Sequence, residues 1–272
     1  MKKLLIFTDL DGSLLDHHDY SWDKALPALQ ALEELSFPIV FNSSKTAVEI
    51  IKLKTEMKNM EPFISENGAV VSIPRGYFSP KLKSIKSDEF ETKLFSTTYE
   101  EIVFILNKIR ETYQFKFLGF HDMSVESLMD ETNLDLNQAL DAKSRQASEP
   151  LKWLDTKSAF NQFKKFLERE NLYLTSGGRF YHVMSDVNKG MGVKWLKKQY
   201  EQLEPDTEWL TVALGDSFND IQMLESVDYP VFISNSQTRQ PDVTHIENLQ
   251  RPQSPGSVGW NDAILNLINK IT

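Results

Sequence analysis

The chain has 272 residues, a formal net charge of −9, 40% hydrophobic and 25% charged residues, and no cysteine. The length predicts two domains, the absence of cysteine excludes disulfides and a thiol nucleophile, and the acidic balance disfavours a nucleic-acid partner. No apolar stretch approaches the length that crosses a bilayer and the N-terminus is not typical of a signal peptide, so we expect a cytoplasmic protein without a membrane partner.

The first third of the chain alternates short apolar runs with amphipathic segments. The run from Leu4 to Thr8 is too short for a buried helix and stops on Asp9 and Asp11, followed by Gly12. The next predicted elements are a helix over 21–35, a strand over 37–41, a helix over 46–57 that opens with capping-box spacing, and a strand over 63–64. This alternation predicts a doubly wound parallel sheet.

The middle of the chain follows a different pattern. A strand is predicted over 69–73, and the polar, lysine-rich stretch over 80–87 predicts a linker. Further predictions are a helix over 99–109, a strand over 115–118, short helices and loops over 122–145, a strand over 151–154, a helix over 160–167, and a hairpin with strands over 172–175 and 179–184. We expect an antiparallel sheet backed by two helices.

The first pattern resumes at Lys189. The predictions are a helix over 193–200, strands over 210–214 and 229–233, a helix from 221, a loop over 235–257 and a closing helix over 260–271. The predicted fold class is therefore α/β, a doubly wound, Rossmann-like parallel-sheet core formed by residues 1–82 and 186–272. An α+β domain, residues 83–185, is inserted into this core.

Polar side chains follow the predicted core strands at the points where the strands end. These residues are Asp9, Asp11, Ser43, Asp216 and Asp220, and Lys189 opens a core helix. Ligands of such sheets bind beyond the carboxyl ends of the strands. Acids from two strand ends can hold one Mg²⁺, while a hydroxyl and a lysine can bind the remaining oxygens of a phosphate group. The alternative for Asp9, Asp11 and Gly12 is an ordinary turn after a strand.

At this point the sequence resembles the haloacid-dehalogenase-like phosphatase superfamily. Asp9-Leu10-Asp11-Gly12-Ser13 is similar to its first motif, with serine where threonine is commoner, Ser43 to the second, Lys189 to the third, and Gly215-Asp216-Ser217-Phe218-Asn219-Asp220 to the fourth. The four motifs occur in order over essentially the whole chain. The insert resembles the α/β cap of the type II branch.

Three shorter stretches narrow the resemblance to the mannosyl-3-phosphoglycerate phosphatase family. They are Asn42-Ser43-Ser44-Lys45-Thr46, Glu66-Asn67-Gly68-Ala69 and Gly177-Gly178-Arg179-Phe180-Tyr181-His182. Most type II relatives have Thr-Gly-Arg where this chain has Ser43-Ser44-Lys45. Members of the matched family remove phosphate from glycosyl-3-phosphoglycerate.

The resemblance implies roles for the core residues. Asp9 is the expected nucleophile that becomes an aspartyl-phosphate, and Asp11 the expected acid and base, which touches the metal through its backbone carbonyl. Asp216 is an expected metal ligand, and Asp220 a second ligand or a residue that orients the ligands. Asn219 is expected to bind phosphate or, alternatively, to cap a helix.

Ser43 and Lys189 are expected to grip the phosphoryl group. Ser43 could instead be a turn residue and Lys189 a solvated lysine. On the cap side, Arg179 can bind the carboxylate of the glycerate, with a solvated hairpin arginine as the alternative. The remaining substrate-binding candidates are His182, whose alternative is simple packing, and Lys45, Glu66 and Asn67.

The expected function is a Mg²⁺-dependent phosphomonoesterase acting on a small anionic phosphate ester, mannosyl- or glucosyl-3-phosphoglycerate, with no protein partner evident. The rival enzyme is a sugar-phosphate phosphatase with a different or broad substrate range. A phosphomutase is a further possibility. A rival from another class is a receiver-like phospho-switch, which also uses an aspartate, Mg²⁺ and a lysine, but such modules are about half as long.

Overall fold

A computed structural model describes residues 2–78, 90–177, 180–234 and 240–271 of the chain. The predicted linker over 80–87 lies outside these residues, as does Arg179. Within the described ranges the strands form a seven-stranded and a four-stranded sheet. No helix of the described residues is long and apolar enough to cross a membrane.

The larger sheet has the strand order β11-β10-β1-β2-β3-β4-β5. Its strands are β1 (Lys2–Thr8), β2 (Ile39–Asn42), β3 (Phe63–Ser65), β4 (Val70–Pro74), β5 (Phe90–Leu94), β10 (Glu208–Gly215) and β11 (Tyr229–Phe232). The run from β11 to β3 is parallel, and β4 and β5 are antiparallel additions at one edge. In the sheet, β2 and β3 lie on one side of β1, and β10 and β11 lie on the other. This strand order confirms the predicted doubly wound core.

Helices cover both faces of this sheet. They are α1 (Leu26–Glu34), α2 (Ala47–Glu56), α7 (Lys189–Leu203), α8 (Ile221–Leu224) and α9 (Gly256–Ile271). Leu4 and Ile6 of β1 pack in one apolar cluster with residues of α1 and α9, whereas Leu5 and Phe7 pack in another with residues of α7 and α8. Because side chains alternate across a strand, β1 must be apolar on both faces, and this explains its unbroken apolar run.

The smaller sheet is antiparallel, with the order β6-β7-β9-β8. Its elements are β6 (Phe117–Gly119), β7 (Glu149–Trp153), β8 (Tyr173–Gly177), β9 (Phe180–Met184) and the helices α3 (Tyr99–Tyr113), α4 (Val125–Thr132), α5 (Leu136–Lys143) and α6 (Lys157–Arg169). α3 and α6 bury their apolar faces against the sheet, as predicted. The region over 122–145, predicted as short helices and loops, contains α4 and α5. These two helices pack with Leu118 and Phe180.

The predicted start of the insert at residue 83 lies outside the described residues, so this boundary stays a prediction. Strand β5 pairs with β4 over its whole length, so Phe90–Leu94 still belongs to the larger sheet. The chain then leaves this sheet at Phe95, whose N–H donates to the carbonyl of Ala69. β5 is mostly exposed on its side chains and lacks an apolar run, so neither of the patterns that reveal strands was present in the sequence.

Candidate active site

Three buried carboxylates meet at the carboxyl end of the parallel strands. Asp9 follows β1, Asp216 follows β10, and Asp220 ends the 3-10 turn Phe218–Asp220. One oxygen of each carboxylate lies within 4.8 Å of the others. β1 and β10 are parallel neighbours in the sheet, and this is why residues so far apart in the chain become adjacent.

Lys189 lies among these carboxylates and is fully buried, which is contrary to the alternative of a solvated lysine. Its Nζ donates to Oδ1 of Asp9 at 2.5 Å and to Oδ1 of Asp220 at 2.6 Å. Burial lowers the pKa of Lys189, but Asp220 and Asp9 more than offset this and hold the pKa above its usual value. Lys189 is therefore a permanent cation that joins the two acids.

Asp9 is 7% exposed, and its carboxylate lies in an unfavourable environment for a charge. Burial raises the pKa of Asp9 well above the usual value; the Lys189 ammonium opposes this shift, whereas Asp220 and Asp216 reinforce it. If the three carboxylates are ionised together, the Lys189 ammonium leaves an excess of negative charge among these four groups. The cluster therefore has room, in electrostatic terms, for a further cation.

A short loop saturates Asp220 with hydrogen bonds. Its Oδ2 accepts from the backbone N–H of Asp216 at 3.1 Å, and from the N–H and the hydroxyl of Ser217, both at 3.0 Å. Since Oδ1 is bound to Lys189, Asp220 fixes both the lysine and the loop. Gly215 is required here, because a Cβ at this position would lie 2.5 Å from the Asp220 side chain.

Asn219 does not cap a helix, so that alternative is wrong. Ser217 precedes the 3-10 turn, Asp220 precedes α8, and Asn219 lies inside the turn. The Asn219 side chain accepts from the hydroxyl of Ser217 at 2.5 Å and donates to Oδ1 of Asn67 at 2.8 Å. It therefore links the loop of residues 216–220 to the turn after β3, while its predicted contact with phosphate stays a prediction.

Asp11 points away from the carboxylate cluster, and its side chain is not one of the three grouped carboxylates. Its Oδ2 pairs with Nζ of Lys45 at 2.9 Å, whereas its Oδ1 is buried without a hydrogen-bond partner among the described residues. Burial lowers the pKa of Lys45, but Asp11 and Glu49 more than compensate, and the pKa is raised overall. Gly12, at φ 82°, makes the predicted tight turn.

Ser43 lies at the end of β2 and is buried. Its Oγ accepts the N–H of Lys45 at 3.2 Å, so its own hydroxyl proton remains available to a substrate oxygen. The helix behind it, α2, begins with the predicted capping box of Thr46 and Glu49, which the structure confirms. The hydroxyl of Thr46 also lies 2.9 Å from the carbonyl of Asp141 at the end of the α4–α5 segment.

Glu66 is predicted to bind substrate through its side chain or backbone, and this stays a prediction. It is fully buried, and its carboxylate accepts hydrogen bonds from the N–H of Gln146 and Ala147 and from the hydroxyl of Ser148. With these donors in place it faces the insert's backbone rather than an open cleft. Glu66 and Asn67 both have left-handed φ values, 50° and 57°, a conformation that costs about 1–2 kcal/mol per residue with a side chain.

Of the predicted cap residues, His182 is in β9 and 8% exposed, while Arg179 lies outside the described residues. Burial, helped by the nearby Arg145, lowers the pKa of His182 to about 3. Its Nδ1 is buried without a partner among the described residues. His182 is therefore a neutral side chain with an unused polar atom, and its contact with substrate stays a prediction.

Sequence reasoning missed two residues that hold the site in place. Arg145 reaches from the insert to the loop beside Ser43, and its Nη1 donates to the carbonyl of Ser44 at 3.0 Å. The indole of Trp260 donates to the hydroxyl of Thr8 at 2.9 Å, and Thr8 donates to the carbonyl of Asp9 at 2.7 Å. Neither residue carries a local sequence signal, because each partner is remote in the chain.

The donor set of the cluster suits a hard divalent cation. The three grouped residues, Asp9, Asp216 and Asp220, offer only carboxylate oxygens, and these are buried beside the Lys189 ammonium, which contacts Asp9 and Asp220. Mg²⁺ prefers one or two carboxylates completed by waters and substrate phosphate. Asp9 and Asp216 meet this preference, since both oxygens of Asp220 are already occupied.

Comparison with known proteins gives consistent findings. A family model described as haloacid dehalogenase-like hydrolase matches residues 6–245. The glucosyl-3-phosphoglycerate/mannosyl-3-phosphoglycerate phosphatase of Methanococcoides burtonii is 38% identical over 269 residues, and that of Persephonella marina 37% identical over the same length, each match covering 98% of both chains. The crystal structure of Thermoplasma acidophilum 0175 has a TM-score of 0.68 at 16% identity and covers 98% of this chain and 99% of that one.

Proposed function

Because the chain belongs to the haloacid dehalogenase-like hydrolase family, we propose that it is a phosphatase that hydrolyses glucosyl- or mannosyl-3-phosphoglycerate. The observation that carries the proposal is the buried group of Asp9, Asp216 and Asp220 around Lys189, together with the full-length relatives of that activity. A phosphomonoester brings two negative charges, and the lysine and a metal would offset them at this position.

In the proposed reaction, Asp9 attacks the phosphorus atom of the ester. Lys189 holds Oδ1 of Asp9, which leaves Oδ2 as the attacking oxygen. A bond forms between this oxygen and phosphorus, the bond between phosphorus and the 3-oxygen of the glycerate breaks, and an aspartyl-phosphate results. Lys189 and the hydroxyl of Ser43 bind oxygens of the transferring group and keep it aligned.

Asp11 supplies the proton transfers. In its protonated form it gives a proton to the leaving alkoxide, and as the carboxylate it then takes one from the water that attacks the aspartyl-phosphate. The unpartnered Oδ1 is the atom suited to this exchange, because Lys45 holds only Oδ2. Phosphate leaves and Asp9 is regenerated, so atoms and protons balance over the cycle.

Asp9 and Asp216 would hold Mg²⁺, with the backbone carbonyl of Asp11 as a further oxygen and Asp220 as the residue that orients the group. Bound Mg²⁺ supplies charge neutralisation for the phosphate and for the developing transition state. Asp220 keeps Lys189 and the loop of Asp216 in place through its two carboxylate oxygens.

The insert is proposed to act as a cap over this site. Strand β8 contacts the 3-10 turn that carries Asn219, and α5 contacts α2 beside Ser43. Residues of the insert thus lie next to both loops that would hold the phosphate. A cap in this position can select the group beyond the phosphate and exclude water from the aspartyl ester.

A panel of phosphate esters with Mg²⁺ tests the proposal. We expect glucosyl- and mannosyl-3-phosphoglycerate to have kcat/KM values at least about 10-fold above those of hexose phosphates, since their carboxylate gives the cap an additional charged contact. A higher kcat/KM for simple sugar phosphates would overturn the substrate and favour a broader sugar-phosphate phosphatase. Full turnover after chelation of divalent metal would overturn the metal role.

A further inference from the structure

The turn of residues 66–68 after β3 lies where several parts of the molecule meet. Three successive residues, Glu66, Asn67 and Gly68, have left-handed φ values of 50°, 57° and 98°. Such a run is unfavourable for residues with a Cβ and persists only where surrounding contacts hold it. The contacts made by this turn should therefore explain why the conformation exists.

Toward the larger sheet, the turn holds both loops that bind the phosphate in the proposed reaction. The N–H groups of Glu66 and Asn67 donate to the carbonyls of Lys45 and Ser43, each at 3.0 Å. The Asn67 side chain accepts from Asn219 at 2.8 Å. The Ser43 loop and the Asp216–Asp220 loop are therefore tied to one short turn.

The same turn packs against the start of the helix that carries Lys189. A Cβ added at Gly68 would lie 2.1 Å from the carbonyl oxygen of Asn188 and 2.8 Å from the backbone nitrogen of Lys189. This approach is closer than any side chain permits. Glycine thus lets the turn contact the backbone that positions Lys189.

Toward the insert, the Glu66 carboxylate is the point of contact. It accepts from Gln146 N at 2.8 Å, Ala147 N at 3.1 Å and Ser148 Oγ at 2.6 Å. These are neutral donors around a fully buried carboxylate, so the loss of any one of them leaves a charge poorly solvated. The segment over 146–148 leads directly into β7 of the smaller sheet.

Segment 146–148 is itself hydrogen-bonded at the two crossings, residues 96–99 and residue 185, where the chain passes between the larger and the smaller sheet. The carbonyl of Ala147 accepts from the hydroxyl of Ser96, and the carbonyl of Gln146 accepts from the N–H of Tyr99. Ser185 N donates to Ser96 Oγ, and Thr97 N donates to Ser185 Oγ. Both crossings are therefore joined to the segment that Glu66 holds.

We propose that Glu66 is a positioning residue that couples the junction of the cap to the phosphate-binding loops. Its carboxylate fixes segment 146–148 and thereby both crossings, while its backbone and that of Asn67 fix the Ser43 loop. Movement of the cap is then transmitted to the groups that grip the phosphate. A substrate that reaches the cap depends on this coupling, whereas a small ester that fills only the phosphate site does not.

The first measurement is hydrogen exchange, which needs no substrate. Glu66→Gln keeps the shape of the side chain but replaces one acceptor oxygen by an NH₂ donor. This donor would face the N–H or O–H groups that the oxygen accepted from, so a hydrogen bond is lost. We expect exchange at the amides of Gln146 and Ala147 to become about 10-fold faster, with little change in the strands β1 and β10. Unchanged exchange at these amides, or equal acceleration throughout the protein, would overturn the proposal.

The kinetic measurement rests on the proposed function and compares glucosyl-3-phosphoglycerate with p-nitrophenyl phosphate. Glu66→Gln should lower kcat/KM for the larger ester by about 10-fold to 100-fold and for the smaller one by less than about 3-fold. Equal losses on both esters would contradict the coupling. If the wild-type protein does not hydrolyse the glycosyl ester, the proposed substrate fails, while the exchange result still decides the role of Glu66.

Two further variants test separately the contact of the turn with segment 146–148 and its contact with Asn219. Ser148→Ala removes one donor to Glu66 without altering the turn, so it should show the same substrate preference in weaker form. Asn67→Gly tolerates the left-handed backbone but loses the contact with Asn219, and it should lower activity on both esters alike. Glu168→Gln, the same chemical change on an exposed position of α6, is the control and should change neither measurement.

Discussion

The proposed catalytic end of the larger sheet and the junction of this sheet with the smaller one hold buried charge in different ways. At the catalytic end, Lys189 contacts Asp9 and Asp220 directly, at 2.5 and 2.6 Å. At the junction, Glu66 is surrounded by neutral donors, and Arg145 donates to the carbonyls of Ser44 and Ala142. In the first region the charged side chains contact one another at the proposed reaction site. In the second region they bind and hold backbone segments.

This difference indicates how the two regions should respond to change. Removal of one charge at the catalytic end leaves its partners uncompensated and alters the chemistry itself. Removal of a charge at the junction alters how the insert is held over the site. Substitutions in the first region should therefore lower kcat, whereas substitutions in the second should mainly affect substrate binding or stability.

The largest effect is expected at Asp9. Asp9→Asn removes the proposed nucleophile while its partner Lys189 keeps a hydrogen-bond acceptor, so kcat should fall by about 10⁴-fold or more. Steady-state kinetics at saturating substrate measure this. Asp23→Asn, an exposed acid before α1, serves as the control. A variant of Asp9 that retained more than a tenth of the wild-type kcat would exclude the nucleophile role.

Asp216 is expected to have the next largest effect. Asp216→Asn should lower kcat by about 100-fold and raise the Mg²⁺ concentration required for half-maximal activity, because it removes one proposed ligand. Mg²⁺ should also raise the Tm of the wild-type protein, since binding relieves the excess of negative charge, and this rise should shrink in the variant. An identical rise in Tm in both proteins would argue against Asp216 as a ligand.

A smaller and different effect is expected at the junction. Arg145→Ala removes the contact with the carbonyl of Ser44, so KM for glucosyl-3-phosphoglycerate should rise by about 10-fold, with kcat changed by less than about 3-fold. Arg169→Ala, an exposed arginine at the end of α6, provides the matched control. If kcat fell as strongly as for Asp216→Asn, the distinction between the two regions would not hold.

The smallest effect is a pH dependence of stability from His182. The unfolded state takes up a proton near pH 6.5, whereas the folded state resists it down to about pH 3. The unfolded state therefore binds more protons between these values, and stability falls as the pH is lowered through this window. Between pH 6.5 and 5.5 this contributes about 1 kcal/mol to the loss of the free energy of unfolding.

Chemical denaturation of His182→Asn at several pH values measures this contribution. The variant should lose less stability between pH 6.5 and 5.5 than the wild-type protein, whatever its stability at neutral pH. His17→Gln, which replaces an exposed histidine, is the comparison. Equal pH slopes in wild type and the His182 variant would contradict a buried neutral histidine.

Most of the fold could be predicted because its signals are local. β1 and β10 are apolar runs buried on both faces, and Thr46 with Glu49 forms the capping box that its spacing indicated. The rule that parallel strands end at one edge predicts that Asp9 and Asp216 lie together, and they do meet there. Lys189, predicted at the start of a core helix, contacts Asp9. In each case the residue type and its nearest neighbours in the chain carried the information.

What depended on the tertiary structure was the direction and the partner of each polar side chain. Asn219 contacts Asn67 rather than capping a helix, and the Glu66 carboxylate binds the backbone of Gln146 and Ala147. β5 joined the larger sheet through pairing with β4 although its own sequence lacks a strand pattern. A buried polar group takes whichever partners the fold brings to it, and for Asn219 and Glu66 these partners lie scores of residues away. The sequence by itself determined that an acidic site ends the central strands; the packing of the insert against them decided which residues surround it.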